Sequence, residues 1–303
     1  MSGHLKKLSD KLPINTLKFQ LHRHLSTIDA HRGTDTVHAS ELTKEGGICP
    51  RFYAINSHMP DALPERSTTT SENATWEIGR MWQDKLVNYF SEIGIGISNW
   101  ICDNGNCKLL YKHGRRPKEC VQCGCTSFTP SEPRFVSDKI GASCGVDMLV
   151  LFPGETLWEI CEIKTIAPDE FKKLAAPLAE HRLRTNFYLR IVAESKEPIT
   201  KNINTKKARV LYTTKGGYGV SDMEVRQWGL GEYFSPFKEF EITRDDKATN
   251  HMAERAKIAF DYRNGKIGMP YGICATAFED RAKSCPRSKT CFGGEYPPTH
   301  AWS

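Results

Sequence analysis

Gly145-Val146-Asp147-Met148-Leu149-Val150-Leu151-Phe152-Pro153-Gly154-Glu155-Thr156-Leu157-Trp158-Glu159-Ile160-Cys161-Glu162-Ile163-Lys164 reads as two strands joined by a Pro-Gly turn. The first half is apolar on both faces except for one aspartate, the pattern of a central strand. The second half ends in Glu162-Ile163-Lys164, and strand alternation points Glu162 and Lys164 to the same face. If Pro153 and Gly154 occupy the centre of a tight turn, partner positions sum to about 307. Asp147 then faces about position 160, one same-face step from Glu162. Two carboxylates and an ammonium among valines and leucines are costly to bury unless they neutralise one another or hold a cation. Hard oxygen ligands favour Mg²⁺ or Mn²⁺, and a neighbouring lysine can orient or deprotonate a water for attack on phosphorus.

Glu-x-Lys recurs at Glu170-Phe171-Lys172 and Glu194-Ser195-Lys196, both in helical sequence. Only the copy at Glu162 sits on an apolar strand that follows an aspartate. Outward from the hairpin, Arg134 to Lys139 and Ala208 to Thr213 also read as strands from their β-branched and aromatic content. Helical segments fall at Pro168 to Ala176, Pro177 to Glu194 and Asp246 to Gly265. Upstream, Trp76, Trp82, Leu86, Val87, Phe90 and Ile93 repeat at helical spacing within Thr75 to Ile93. Ser40 before Glu41-Leu42 reads as an N-cap opening a helix toward Cys49, and Ile14 to Leu25 is a short amphipathic run. Strands and helices mixed in this order predict an α/β core with a central mixed sheet flanked by helices. The expected layout is an appendage over residues 1–39, a core over 40–292 with an insert at 100–130, and a tail over 293–303.

A chain of 303 residues with 39% apolar side chains can bury a core without a disulfide framework. The opening residues, Met1 to Pro13, lack the apolar stretch of a secretory signal, and no run approaches the length of a membrane span. These features lead us to expect a soluble protein of the cytoplasm. Its net charge of +6 permits a polyanionic partner without demanding one.

Eleven cysteines in a reducing compartment point to metal ligands, core fillers or reactive thiols. Cys102-x4-Cys107 and Cys120-x2-Cys123, separated by the loop from Lys108 to Glu119, have the spacing of a zinc ribbon, four thiolates brought face to face on two turns. Cys125 is an alternative to Cys123. The loop carries Lys112, His113, Arg115, Arg116 and Lys118, which suit either phosphate contact or simple solvation. Cys144 and Cys161 flank the charged strands and read as buried fillers.

Asp147, a hairpin, then Glu162-Ile163-Lys164 resembles the active-site signature of the PD-(D/E)xK nucleases. Pro177-Leu178-Ala179-Glu180-His181, followed by Arg184 and Tyr188, is similar to a helix of the RecB-like branch, with Arg184 standing where that branch carries Gln. Gly79 and Gln83 lie where many RecB-like members have Gly and a metal-binding His. Cys49-Pro50-Arg51-Phe52-Tyr53 resembles the segment that opens RecB-like nucleases with an iron–sulfur cluster, the CRISPR-adaptation exonucleases among them. In those proteins one early cysteine joins three late ones. Cys285-x5-Cys291 fits that late group, whereas the ten residues between Cys274 and Cys285 exceed its usual gap.

The resemblance implies a restriction-endonuclease-like core with a zinc-ribbon insert. It implies a Mg²⁺- or Mn²⁺-dependent DNA exonuclease acting on ends or single strands in recombination, replication or DNA degradation. Asp147, Glu162 and the carbonyl of Ile163 would bind the metal, with Lys164 and Gln83 beside it. Cys49, Cys274, Cys285 and Cys291 would hold a [4Fe–4S] cluster, or zinc as the alternative, and Arg184, Tyr188, Arg115 and Arg116 would contact DNA. The competing expectation is a catalytically weak DNA-binding or scaffold subunit for a helicase or recombinase partner.

Overall fold

The computed structural model describes residues 21, 24, 37–39, 47–58, 70–214 and 237–293. The run Ile14 to Leu25, the helix start at Ser40 and the tail lie outside the described residues, apart from Leu21, His24 and Gly293. The chain divides into two units, residues 1–35, 49–78 and 261–303 in one and 36–48 and 79–260 in the other.

In the larger unit the strands are β1 (Val37–His38), β2 (Gly96–Cys102), β3 (Leu110–Gly114), β4 (Phe128–Ser131), β5 (Arg134–Ser137), β6 (Ala142–Gly145), β7 (Met148–Val150), β8 (Trp158–Ile166), β9 (Ile203–Thr214) and β10 (Phe237–Thr243). A seven-stranded sheet runs in the order β10-β9-β8-β7-β2-β3, with β4 also paired to β2. It is mixed: β8 and β9 are parallel, and the β9–β10, β7–β8 and β2–β7 pairs are antiparallel. A smaller sheet has the order β1-β6-β5. Val37 and His38, expected in the appendage, pair with Ala142 and Ser143 of this sheet.

The helices are α1 (Pro50–His58), α2 (Thr70–Glu92), α3 (Pro168–Lys173), α4 (Ala179–Glu194), α5 (Asp246–Arg263), α6 (Asp280–Ser284) and α7 (Ser288–Gly293). α4 packs on β5 and β6 of the small sheet and on β9 and β10 of the large one. Covered on both sides, it buries Phe187, Leu189, Ile191 and Val192 together with the polar His181, Thr185 and Asn186. The α/β core, the mixed sheet with helices on its flanks and the small cysteine-bearing insert are those expected. No helix among the described residues is long and apolar enough to cross a membrane.

The hairpin departs from the expected register. Met148 pairs with Cys161 and Val150 with Glu159, so the partner sum is 309, two residues beyond the tight-turn expectation. Pro153-Gly154 do form the turn, with Glu155 N–H donating to Phe152 O at 3.0 Å and Gly154 at φ 87°. Trans-proline followed by positive φ is a type II turn, whose twist mismatches a two-residue hairpin. The strands therefore separate before they reach it. Thr156 and Leu157 enter the loop on one side only, which brings Asp147 level with Glu162.

Candidate active site and cysteine centres

Burial defines the site. Asp147 is 5% exposed, at the bend between β6 and β7, and Glu162 is 2% exposed, in the middle of β8. Both oxygens of Asp147 accept hydrogen bonds: Oδ1 from Gln83 Nε2 at 2.8 Å, and Oδ2 from the Ile163 backbone N–H at 2.5 Å. Gln83 reaches it from α2, anchored beside the buried Leu86 and Val87. Glu162 Oε1 accepts from Lys164 Nζ, which also donates to Ile163 O at 3.2 Å. Glu162 Oε2 is buried and has no hydrogen-bond partner among the described residues. An orphaned carboxylate oxygen in an apolar setting costs several kcal/mol, roughly, unless a cation or proton meets it.

The electrostatics follow from that excess of negative charge. Burial and the Glu162 carboxylate push the Asp147 carboxyl well above the ordinary range, with the Lys164 ammonium working the other way. Burial opposes charge on Lys164 too, but Glu162 and Asp147 outweigh it and raise its ammonium. Lys164 is therefore a donor. Two carboxylates with one unpartnered oxygen, beside the Ile163 carbonyl, form a hard-oxygen set that fits Mg²⁺ or Mn²⁺.

Sequence reading did not single out two neighbours, Tyr212 and Glu132. Lys164 pairs with Tyr212 across the parallel β8–β9 ladder. The Tyr212 hydroxyl lies 2.9 Å from His181 Nδ1 and accepts from Leu178 N at 3.0 Å. That leaves the hydroxyl proton for Nδ1 and the Nε2 proton for Glu180 Oε1, 3.1 Å away. Burial, then the charges of Lys164 and Arg184, drive His181 down to about 3, so the ring is neutral. Glu132 lies against Gly145, two residues before Asp147.

Of the DNA-contacting candidates, Arg184 is half-buried and its charge acts on Lys164, His181 and Tyr188. Tyr188 is 4% exposed, so its ring belongs to the core and presents no open face for a base to stack on. Arg115 and Arg116 are exposed and donate to Gly94 O at 2.7 Å and Thr126 O at 3.3 Å, which fixes them on the insert's surface.

In the insert, the thiols of Cys102, Cys107, Cys120 and Cys123 all lie within 4.8 Å of one another. The Cys102–Cys123 sulfurs are 3.5 Å apart and the Cys107–Cys120 sulfurs 3.7 Å. Zn–S bonds of about 2.3 Å set tetrahedral edges near 3.8 Å, so the set fits one zinc ion. Cys125 instead directs its thiol to Ser127 O at 3.5 Å. The Tyr111 hydroxyl holds the Cys120 thiol down at about 6, outweighing burial. Asp103 ties the two knuckles to the sheet, accepting from Ser127 Oγ at 2.5 Å and Thr129 Oγ1 at 2.7 Å.

Cys49, Cys274, Cys285 and Cys291 all fall in the smaller unit. Burial raises Cys285, and charge on Cys49, Cys291 and Cys274 would raise it further. Arg51 donates to Cys291 O at 3.0 Å, and the Arg287 N–H to Cys285 Sγ at 3.5 Å. Ala54, Ile55, Tyr262 and Met269 form the apolar cluster against which Cys291 packs.

No family model matches the chain. No curated protein matches it. Among solved structures it is similar to a phage-related exonuclease from Haemophilus somnus 129PT, at 14% identity over 76% of this chain and 94% of that one, with a TM-score of 0.30.

Proposed function

We propose that the protein is a metal-dependent DNA nuclease, an exonuclease working on ends or single strands. The observation that carries this reading is the buried pair Asp147 and Glu162, with one orphaned oxygen and with Lys164 bonded to Glu162. Asp147, Glu162 and the Ile163 carbonyl would hold Mg²⁺ or Mn²⁺, which when bound supplies Lewis-acid polarisation of the phosphate and stabilises charge on the leaving oxygen. Gln83 and the Ile163 N–H fix the Asp147 carboxylate in one orientation. Lys164, which donates to Glu162 and to the Ile163 carbonyl, would position the attacking water. Arg184 brings a second positive charge to the lysine's side of the site, where a phosphate would lie.

The ribbon would support this core, and the second cysteine set would close the smaller unit. Zinc would close the insert, and a [4Fe–4S] cluster would join Cys49 to the three late cysteines. A cluster stands between its thiolates and holds them farther apart than the four ligands of one ion. Arg51, whose guanidinium reaches the Cys291 carbonyl, would offset part of the negative charge such a group brings.

The test is digestion of end-labelled single- and double-stranded DNA by anaerobically purified protein with Mg²⁺ or Mn²⁺. Degradation that Asp147→Ala abolishes is the expected outcome. Equal activity in the two proteins removes the nuclease reading and favours a DNA-holding subunit of a helicase or recombination complex.

A further inference from the structure

Glu132 stands beside the catalytic strands through four backbone constraints. Arg134 pairs with Gly145, and the Val146 N–H donates to Pro133 O at 3.0 Å. Ser98 Oγ lies 3.0 Å from Ser131 O and 3.2 Å from Asp147 O, so one buried hydroxyl bridges the two segments. Asn99 Nδ2 donates to Glu132 O at 3.2 Å. The carboxylate then folds over Gly145: a methyl added there would sit 2.1 Å from Glu132 Oε2 and 3.2 Å from its Cδ. Only glycine leaves room for it. The Val146–Pro133 bond carries the β5–β6 register one pair past Gly145, and the next pair along it sets Glu132 opposite Asp147.

We propose that Glu132 is a third acidic ligand of the Asp147–Glu162 cation site, completing it from the solvent side. The inference rests on the metal-dependent reading of that site. Two independent features point to a ligand rather than to a chance acidic cluster. Glu162 Oε2, in a residue 2% exposed, has no partner among the described residues. The Glu132 carboxylate has no hydrogen bond or ion pair recorded among the described residues, and yet its charge acts on both Asp147 and Cys144. Three carboxylates against one lysine leave an excess of negative charge that a divalent cation neutralises. Asp147, Glu162 and the Ile163 carbonyl leave a divalent cation short of its six or more oxygens, and Glu132 would supply a further one.

The experiment is Mn²⁺ titration of the full chain, with free Mn²⁺ read by electron paramagnetic resonance and no DNA present. Glu132 is exposed, so Glu132→Gln keeps its shape and folds, which circular dichroism and zinc content verify. We expect Glu132→Gln to weaken Mn²⁺ binding about tenfold or more. Gly145→Ala, which displaces the carboxylate while leaving it charged, should weaken binding in the same direction. Equal Mn²⁺ affinity in the wild type and Glu132→Gln overturns the assignment of Glu132 alone. Absence of Mn²⁺ binding by the wild type overturns the metal-dependent reading along with it.

Discussion

Gln83 contributes one of two donors to a carboxylate that burial would otherwise neutralise. A buried hydrogen bond to a charged acceptor is worth about 1.5–3 kcal/mol. Gln83→Ala should therefore lower stability and cost roughly tenfold or more in Mn²⁺ affinity; unchanged affinity would reduce Gln83 to packing. His181 gives a prediction about acid. Its pKa is held at about 3 in the fold, against an ordinary value of 6.5, so between these values the unfolded chain binds a proton that the folded one refuses. Stability is whole above pH 6.5 and is lost as pH falls toward 3, by roughly 1 kcal/mol per unit. Urea midpoints at pH 7 and pH 4.5 should fall less for His181→Gln than for the wild type, and equal falls would show that another group carries the acid sensitivity. Asp147, Glu162 and Lys164 were legible because each interrupts an apolar strand with a charge. Glu132 was not, since it sits between strands in a polar stretch and is placed by the pairing beside Gly145 and by bonds from Ser98 and Asn99.

The β8–β9 pair is held on its outer side by a buried glutamate. Glu159 is 1% exposed and meets Lys207 Nζ and Arg209 Nε, each at 2.9 Å. Arg209 passes on to Glu239 of β10 at 2.8 Å and lies over the Phe152 ring at 4.9 Å. Three strands and the hairpin loop thus share one network. Removing one partner of a buried ion pair costs about 3–5 kcal/mol, and because Lys207 and Arg209 are partly exposed we expect about 2 kcal/mol for Glu159→Ala. Chemical denaturation would measure it, and a loss below about 0.5 kcal/mol, the usual size for surface sites, would mean the network is only solvated charge. This arrangement explains why β9 runs longer than its apolar half suggested. Asn204 to Lys207 is polar sequence, and Lys207 finds its partner across the sheet rather than nearby in the chain. The strand β2 was hidden for a related reason: its central Ser98 and Asn99 are buried, at 0% and 7% exposure, by bonds to the backbone of Ser131 and Glu132. Only after pairing do such polar residues read as interior ones. The hairpin's turn was legible, but its register was not, because the type II geometry of Pro153-Gly154 forces a wider loop.

The two cysteine sets belong to different units of the chain. The ribbon thiols lie between β2 and β4 in the larger unit, where Cys102 and Cys120 enter the same apolar cluster as Trp100, Met148 and Ile163. Metal at the ribbon is therefore continuous with the packing under β8. The other set draws on residues about 240 positions apart, with Arg51 reaching the backbone of Cys291, so it closes the smaller unit upon itself. Spacing alone exposed the ribbon, since its ligands are near neighbours in sequence. Cys49 was joined to the late cysteines only through the resemblance carried by Cys49-Pro50-Arg51, and among the described residues the ribbon thiols are the set that gathers within ligand distance. If each unit owns its metal, the losses should separate. Cys107→Ser should lower zinc while iron stays, and Cys285→Ser should lower iron while zinc stays near one per chain, by elemental analysis of anaerobic samples. Because the ribbon cluster runs into the core beneath Ile163, the zinc-depleted variant should also lose thermal stability and Asp147-dependent Mn²⁺ binding. Loss of both metals from either single variant would show that the units do not hold them independently.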